Sequence, residues 1–248
     1  MNLISIIMPY YKKKSFFLES VNSALNQTYQ NIEIIIIYDD SDDSDLKYIY
    51  EVQKLDSRIK VIKNDYNIGA GLSRNIGILQ SKGSYVAFLD CDDLWVKDKL
   101  ERQLNFMENN KILFSHTSYY VINNKNEIIK NKKAAKKTTF DNLLLDCQVG
   151  LSTVMLDKKL INDDCKFPNL KTKEDFVLWL KISKKTDLYG IDLPLTKWRK
   201  LKDSLSSNSS QKMIDGFNVY NKYMKFSYLK SLYFLMILSI NFLKKNIL

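Results

Sequence analysis

Short apolar runs alternate with amphipathic segments over the first 95 residues of the chain. The runs are rich in Ile and Val, which favours strands, whereas the segments between them repeat apolar positions every three or four residues, which favours helices. The pattern predicts strands at residues 4–8, 33–38, 59–63 and 85–89. It predicts helices between them at residues 16–26, 45–54 and 72–80, with Gly83 placed to end the last one.

This alternation is typical of an α/β fold with a mainly parallel sheet and helices on both faces, because parallel strands need long crossover connections. The four isoleucines at residues 34–37 support this interpretation. A strand that is covered on both faces has a continuously apolar sequence of this kind.

Beyond Val96 the pattern is less regular. It predicts a helix ending near Asn109, a strand at residues 112–122, a lysine-rich loop or hairpin at 125–137, and a helix at 175–184. The length of 248 residues fits one large domain with an appendage. We divide the chain into a domain at 1–208, with halves at 1–95 and 96–208, and a helical tail at 209–248, with a serine-rich linker at 204–210.

Composition and charge narrow the class of protein. The chain has 38 Lys and Arg against 28 Asp and Glu, and this net charge of +10 favours an anionic partner such as a nucleotide, a nucleic acid or an acidic membrane surface. Three cysteines without CxxC spacing argue against a disulfide framework and a zinc knuckle, and the single histidine excludes multi-histidine metal sites. Because no basic segment precedes the first apolar run, we predict a reducing, cytosolic compartment.

Acidic residues follow two of the predicted strands. Residues 39–43 include four aspartates, and Asp90, Asp92 and Asp93 follow the fourth strand. In an open α/β sheet, ligands bind at the carboxyl ends of the strands, where these carboxylates would raise one another's pKa. A divalent ion bound to a nucleotide diphosphate needs only one or two protein carboxylates. The pattern therefore indicates a site for Mn²⁺ or Mg²⁺, with a solvated aspartate-rich turn as the alternative.

Two further segments hold candidate residues. Gly69 and Gly71 do not form a dinucleotide fingerprint, because Arg74 stands in the place of its third glycine. Arg74 can offer its guanidinium to a phosphate or a carboxylate, or it can be an ordinary exposed residue of a helix. Asp175, at the start of a predicted helix, can act as a general base or merely favour the positive end of that helix.

Six motifs resemble those of the family 2 glycosyltransferases, which have the GT-A fold. They lie at residues 5–11, 25–29, 38–43, 71–77, 83–95 and 174–176. Each motif alone is weak, but their order and spacing make the resemblance strong, and it extends to Arg199. The resemblance implies a Rossmann-like, nucleotide-binding sheet, with the donor bound by the first half of the domain and the acceptor by the second.

Matched residue by residue, the resemblance implies a role for each candidate. The nucleotide-binding residues would be Pro9, Tyr11, Asp39, Arg74 and Asp90, with Asp39 accepting a hydrogen bond from the uracil imide. Asp92 would bind the Mn²⁺ or Mg²⁺ that bridges the diphosphate. Asp175 would be the base that takes the proton of the acceptor hydroxyl, so that transfer occurs in one displacement with inversion.

Two positions depart from the family's pattern. The aspartate-pair motif usually reads Asp-Asp-Gly-Ser, whereas this chain has Tyr38 in the first place and Asp40 where glycine is common. A histidine often follows Arg199 by two residues, and here that residue is Leu201. Any contact from that histidine is therefore absent, and the role of this loop stays open.

The resemblance implies an inverting, metal-dependent glycosyltransferase that uses a nucleotide sugar, with a UDP-sugar as the expected donor. The expected acceptor is a saccharide or a lipid-linked saccharide in cell-surface polysaccharide or glycolipid assembly. The alternative is a non-catalytic module of the same fold that binds a membrane or a nucleic acid. We expect no nucleic-acid partner, because the lysines at residues 125–137 lack interleaved aromatic residues.

The tail suggests a membrane contact. Residues 221–248 have five lysines and no acid, and their apolar run at residues 231–243 has 13 residues. Because crossing a bilayer takes about 20 apolar residues, we predict a helix that lies in the headgroup region of an anionic leaflet. The expected place is the cytoplasmic face of the inner membrane. The alternatives are packing on the domain and contact with a second chain.

Overall fold

The computed structural model describes residues 2–201 and 209–247, and its N-terminal part alternates strands and helices as the apolar pattern predicts. The strands are β1 (Ile4–Tyr10), β2 (Ile32–Tyr38), β3 (Ile59–Lys63) and β4 (Tyr85–Phe88). The helices are α1 (Lys14–Leu25), α2 (Leu46–Gln53) and α3 (Ala70–Gln80). The four strands are parallel, in the order β3-β2-β1-β4, which confirms the first part of the predicted fold.

The second part of the chain has shorter strands and more varied connections. Its strands are β5 (Leu94–Trp95), β6 (Phe114–Ile122), β7 (Ile128–Lys132), β8 (Lys137–Thr138), β9 (Met155–Asp157) and β10 (Leu188–Arg199). Its helices are α4 (Lys99–Asn109), α5 (Phe140–Leu145), α6 (Glu174–Ser183), α7 (Ser209–Asn218) and α8 (Tyr228–Ile247). The lysine-rich segment at 125–137 is the hairpin alternative, because β7 pairs with β6 in the antiparallel direction.

In the described residues, one sheet joins both parts in the order β3-β2-β1-β4-β9-β6-β10-β5. Strand β9 is antiparallel to both β4 and β6, whereas β10 is parallel to β6. The mainly parallel prediction therefore holds for β1 to β4, and the second part is mixed because β9, β5, β7 and β8 all enter the sheet antiparallel to a neighbour.

Gly83 has a different role from the one predicted. Helix α3 ends at Gln80, followed by Ser81 in an extended conformation. A Cβ atom at Gly83 would lie 2.6 Å from the Ser5 side chain and 2.7 Å from the backbone oxygen of Leu3. Gly83 therefore lets the chain pass close to β1, rather than ending the helix.

Helix α6 is buried along most of its length. Its residues from Phe176 to Leu180 are at most 1% exposed, and the Trp179 ring lies 5.1 Å from the Phe114 ring. Burying a large apolar side chain of this kind contributes about 1.5–3 kcal/mol. This packing fixes the start of α6, and with it Glu174 and Asp175, relative to the sheet.

The tail packs on the domain with one face. Tyr220 is fully buried, Leu235 and Leu238 are 8% and 7% exposed, and all three belong to the same apolar core as Trp179. Packing on the domain, one alternative for the tail, is therefore correct for the inner face of α8. Among the described residues, no helix combines the length and the apolarity that a membrane crossing requires.

The predicted linker falls only partly within the described residues. Residues 202–208, including the domain boundary placed at 208, lie outside the described residues. Ser209 and Ser210, which the sequence assigned to the linker, form the first residues of α7.

Candidate functional site

The carboxyl ends of β1, β2 and β4 meet at one edge of the sheet. The backbone N–H of Asp39 donates to Tyr10 O at 2.9 Å, which holds the end of β2 beside the end of β1. On the other side, the thiol of Cys91 donates to Pro9 O at 3.1 Å. The two groups of aspartates that the sequence places far apart therefore flank the end of β1.

Asp39 holds the loop that leads into α3. Its side chain is buried, and Oδ1 accepts from Asn64 Nδ2 at 2.9 Å and from the Ile68 N–H at 2.8 Å. Oδ2 accepts from the N–H of Gly69 at 2.9 Å, and Gly69 has the left-handed φ of 90° that favours glycine. A carboxylate oxygen can accept more than one bond, so Oδ2 retains capacity for an imide N–H.

Pro9 and Tyr11 stand at the end of β1, on either side of Tyr10. Tyr10 is buried and its hydroxyl donates to Asp45 Oδ2 at 2.7 Å. Tyr11, the next residue, is 43% exposed. Tyr11 lies just beyond the end of β1, and its exposed ring is one against which a planar base could lie.

The unusual Asp40 supports its turn. Its Oδ1 accepts from the N–H of Asp42 at 3.1 Å, and the Tyr38 hydroxyl donates to Asp42 O at 2.5 Å. Aspartate commonly replaces glycine where a local side-chain bond closes the turn. Both departures in this motif therefore stabilise the loop in which Asp39 stands.

The three aspartates after β4 have three different environments. Asp90 Oδ1 lies 2.7 Å from Arg74 Nη2, and Asp92 Oδ2 lies 3.0 Å from Lys13 Nζ. Asp93 is buried and accepts from Ser152 Oγ at 2.6 Å and from the N–H of Arg199 at 2.9 Å. Asp93 is therefore bound within the fold, whereas the side chains of Asp90 and Asp92 stay partly exposed, at 32% and 18%.

Burial and mutual repulsion characterise this acidic loop. Burial, followed by the charge of Asp90, raises the pKa of Asp92, while Lys13 lowers it. Residues 2–201 and 209–247 contain no group of three or more His, Cys, Asp or Glu side chains that could enclose a metal by itself. The partly exposed carboxylates of Asp90 and Asp92 would suit an ion that takes one or two carboxylates from the protein and its other ligands from a diphosphate.

Arg74 connects the acidic loop to the start of α6. Its Nη2 and Nη1 lie 2.7 Å from Asp90 Oδ1 and 2.8 Å from Glu174 Oε1. The side chain is 4% exposed, so the interpretation of Arg74 as an exposed helical residue is wrong. Because two carboxylates occupy the guanidinium, Arg74 positions Asp90 and Glu174 in this structure.

Asp175 occupies the first turn of α6. Its Oδ1 accepts from the N–H of Phe176 at 2.7 Å, and the helix is preceded by Lys173, whose φ of 63° is left-handed. Burial raises the pKa of Asp175 to about 7, and Glu174 adds to this effect, whereas Arg74 and Lys173 oppose it. A carboxylate with such a pKa is suited to proton transfer near neutral pH.

Asp90 and Asp175 line the same cavity, although 85 positions separate them in the sequence. The cavity has a volume of about 220 Å³. Its other lining residues are Asp93, Tyr119, Gly150, Leu151, Ser152, Thr153, Thr196 and Trp198. It therefore brings together the loop expected to hold the donor and the carboxylate expected to act as base.

Ser152 ties the cavity wall to the acidic loop, and no sequence motif revealed it. Its Oγ donates to Asp93 and accepts from the N–H of Asp90 at 3.1 Å. Its carbonyl accepts from Trp95 Nε1 at 2.7 Å and from Thr196 Oγ1 at 3.2 Å. A single serine in a 3₁₀ turn gives no periodic signal, so only the tertiary structure reveals it.

Arg199, the last residue of β10, holds the acidic loop that follows β4. Its Nε donates to the backbone oxygen of Asp92 at 2.8 Å, and its Nη2 lies 3.1 Å from Glu19 Oε2. With the N–H bond to Asp93, the end of β10 holds two successive residues of the acidic loop. The acidic loop is thus held in place by Arg199.

Comparison with known proteins identifies the family. The family model described as Glycosyl transferase family 2 matches residues 5–164. The chain is 39% identical over 213 residues to the UDP-Glc:alpha-D-GlcNAc-diphosphoundecaprenol beta-1,3-glucosyltransferase WfgD of Escherichia coli, and the match covers 85% of this chain and 82% of that protein. It is also 39% identical over 221 residues to the UDP-Glc:alpha-D-GlcNAc-diphosphoundecaprenol beta-1,3-glucosyltransferase WfaP of Escherichia coli, and the match covers 88% of this chain and 86% of that protein.

A solved structure shows the same fold. The crystal structure of S. aureus TarS 1–349 in complex with UDP-GlcNAc has a TM-score of 0.72 to this chain at 19% sequence identity. The match covers 95% of this chain and 70% of that chain. At this identity the likeness shows the fold, which is GT-A.

Proposed function

The chain belongs to glycosyltransferase family 2, and we propose that it is an inverting, metal-dependent enzyme that transfers a sugar from a UDP-sugar to a lipid-linked saccharide. The observation that carries the proposal is the shared cavity of Asp90 and Asp175. A donor held at the acidic loop would there meet an acceptor held at the base. The family is one of enzymes, so the non-catalytic alternative is not needed.

The donor half of the proposal rests on the end of β1 and on Asp39. The exposed Tyr11 ring is available to a planar base, and Asp39 Oδ2 retains capacity for the imide N–H of uracil. The relatives WfgD and WfaP are named for UDP-Glc, and TarS was solved with UDP-GlcNAc. We infer a UDP-sugar, with UDP-glucose as the first to test.

Mn²⁺ or Mg²⁺ is the proposed cofactor, with Asp92 as its protein ligand. The bound ion would neutralise the charge that develops on the departing diphosphate. The chain's own contribution is the preformed acidic loop, which Arg199 and Ser152 hold through Asp92 O, Asp93 and the Asp90 N–H. Lys13, 3.0 Å from Asp92, supplies the positive charge that faces this carboxylate in the present structure.

Asp175 is the proposed general base. It accepts the proton of the acceptor hydroxyl while that oxygen forms a bond to the anomeric carbon and the bond from that carbon to the diphosphate breaks. Attack from the face opposite the leaving group inverts the anomeric carbon. A pKa of about 7 leaves a substantial fraction of Asp175 ionised at neutral pH.

The acceptor proposal is a saccharide linked through diphosphate to a lipid, for use in cell-surface polysaccharide assembly. Tyr119 and Trp198 line the cavity beside Asp175, and aromatic rings give sugar rings an apolar surface to pack against. The names of the relatives WfgD and WfaP specify alpha-D-GlcNAc-diphosphoundecaprenol. A GlcNAc-diphosphate lipid is therefore the first acceptor to test.

Peripheral membrane attachment through α8 is the proposed localisation, at the cytoplasmic face of the inner membrane. Its outer face is an apolar stripe with helical spacing, and these side chains are 41–78% exposed. The stripe consists of Leu229, Leu232, Tyr233, Met236, Ile240 and Leu243. Exposed lysines stand at both ends of the stripe, among them Lys222, Lys225 and Lys244, and each contributes about 1 kcal/mol near an anionic surface.

Transfer assays with purified full-length protein test the proposal. The protein is incubated with a GlcNAc-diphosphate lipid analogue, with Mn²⁺ or Mg²⁺, and with UDP-glucose, UDP-GlcNAc or GDP-mannose in parallel. We expect extension of the acceptor with a UDP-sugar, and loss of extension in Asp175→Asn. Extension with GDP-mannose alone would contradict the UDP-sugar assignment, and full activity of Asp175→Asn would contradict the assignment of the base.

A further inference from the structure

We propose that Asp215, in the tail helix α7, is a positioning residue for the catalytic carboxylate Asp175. The inference rests on the proposed function, in which Asp175 is the base. It makes the tail part of the active-site scaffold as well as a candidate membrane contact.

Asp215 holds the residue that leads into α6. Its side chain is 3% exposed, and Oδ2 accepts from both the N–H and the Oγ1 of Thr172, each at 2.9 Å. Oδ1 accepts from Gln211 Nε2 at 3.0 Å. Burying a carboxylate is costly unless donors satisfy its oxygens, and two of these three donors belong to Thr172. The carboxylate therefore fixes the backbone position of Thr172 relative to α7.

Thr172 is joined to Asp175 by a short, constrained segment. Lys173 has a left-handed φ of 63°, which costs a non-glycine residue energy that neighbouring contacts must supply. The carbonyl of Lys173 accepts from the Val177 N–H at 3.2 Å, so its conformation sets the direction in which α6 begins. Asp175 follows two residues later, within the first turn.

The backbone of α7 at Gly216 also lies close to Lys173, in the segment between Thr172 and Asp175. A Cβ atom at Gly216 would lie 3.4 Å from Lys173 Cε and 2.8 Å from Leu235 Cδ1. The backbone of α7 thus passes between the Lys173 side chain and α8. The hydrogen bonds of Asp215 and this contact together hold the residues before Asp175 from one side, while Arg74 holds Glu174 from the other.

A purely structural role for Asp215 would lower stability without changing turnover for each folded molecule. A positioning role would lower kcat, because misplacing a catalytic group by about 1 Å can cost about 100-fold in rate. The residues proposed to bind UDP lie at the carboxyl ends of β1, β2 and β4 and do not belong to α6, so the affinity for UDP would be retained in either case. The two roles therefore differ in kcat.

The test compares three variants of the full chain: Asp215→Ala, Asp215→Asn and Tyr220→Phe. Asp215→Ala removes the acceptor for Thr172, whereas Asp215→Asn keeps a carbonyl oxygen for it and leaves its amide to the Gln211 side chain. Tyr220→Phe is the matched control. It removes a buried hydrogen bond of the same tail, the one from the Tyr220 hydroxyl to Leu144 O in α5 at 2.7 Å, which does not involve the residues before Asp175. Thermal unfolding, UDP affinity by calorimetry, kcat and KM are measured for each.

We expect the kcat of Asp215→Ala to be about tenfold to 100-fold below that of wild type, with a UDP affinity within twofold of the wild-type value. The Asp215→Asn variant should recover most of the lost kcat. Tyr220→Phe should lose stability and keep its kcat. If Asp215→Ala does not fold, Thr172→Val, which removes only the Oγ1 donor, is expected to lower kcat several-fold.

Three results would overturn the proposal. They are wild-type kcat in Asp215→Ala, wild-type kcat in Thr172→Val should that variant be needed, and an equal fall of kcat in Tyr220→Phe. Asp175→Asn, assayed in parallel, separates the two levels of inference. Its loss of turnover beside a fully active Asp215→Ala would overturn the role of Asp215 alone, whereas its full activity would overturn the proposed function as well.

Discussion

Replacing Asp175 with Asn is expected to stabilise the protein while it removes most of the activity. The folded protein raises the pKa of Asp175 from 3.8 to about 7, chiefly because burial disfavours the charge. The folded state therefore binds a proton more tightly than the unfolded state does, and keeping Asp175 ionised costs stability. This cost is absent below about pH 4, grows as the pH rises to about 7, and is constant above it.

The magnitude follows from the pKa. A rise from 3.8 to about 7 corresponds to about 4 kcal/mol, at about 1.4 kcal/mol for each pKa unit. This pKa already includes the favourable interactions of the ionised carboxylate with the Phe176 N–H, Arg74 and Lys173, so nothing further is subtracted for them. The variant should therefore be more stable by about 4 kcal/mol at pH 8 and similar in stability to wild type at pH 4.

Denaturant unfolding at pH 4, 6 and 8, with turnover measured on the same samples, checks this expectation. Turnover should fall by about 100-fold to 10,000-fold, while the affinity for UDP is retained. Asp141→Asn is a matched control, since Asp141 is an exposed acid in the first turn of α5, and it should lose up to about 1 kcal/mol at pH 8. A less stable Asp175→Asn with near-normal turnover would refute the reasoning and make Asp175 a helix-start residue only.

Three further perturbations address other parts of the account. Chelation should abolish transfer and weaken UDP binding in calorimetry, and adding Mn²⁺ or Mg²⁺ should restore both. The Asp92→Asn variant should stay inactive when either ion is added. Full activity in excess chelator would exclude the metal. The variant Arg199→Met leaves the backbone oxygens of Asp92 and Asn123 without their guanidinium donor. It should lose about 1–3 kcal/mol of stability and raise the KM for the donor. Unchanged unfolding would contradict the role of Arg199 in holding the acidic loop. The double variant Leu229→Gln/Met236→Gln should reduce sedimentation with anionic vesicles at least about tenfold. The control Leu55→Gln/Leu79→Gln changes two similarly exposed leucines outside the tail and should not reduce it. An equal loss in both double variants would refute the membrane contact.

The packing of the tail determines how its membrane contact must be tested. A deletion from residue 221 onward would remove Leu235 and Leu238, which pack in the same core as Trp179. The truncated chain would then lose stability for reasons unrelated to a membrane. Substitutions confined to the outer face of α8 avoid this difficulty.

The features that depend on local pattern could be predicted from the sequence. Four apolar runs form β1 to β4, and because the carboxyl ends of parallel strands share an edge, the sequence alone places Asp39 and Asp90 near each other. The resemblance supplied the role expected of Asp175. These predictions needed only strand order and motif spacing.

Other features depend on tertiary contacts that no local pattern encodes. The sequence is compatible with an exposed or a ligand-binding Arg74, and only the tertiary contacts of α3 with the acidic loop and with Glu174 show it between Asp90 and Glu174. Lys13 belongs to a lysine run that resembles a solvated face until its contact with Asp92 is seen. Periodicity identified an apolar tail but could not tell that one face is covered by the domain and the other is exposed.

The stereochemistry of transfer tests the central claim most directly. The product formed from an α-linked UDP-sugar and a GlcNAc-diphosphate lipid analogue is analysed by NMR to determine the configuration of the new anomeric bond. Because Asp175 is proposed to deprotonate the acceptor hydroxyl for a single displacement in the cavity that it shares with Asp90, the account requires a β-linked product. An α-linked product would contradict it.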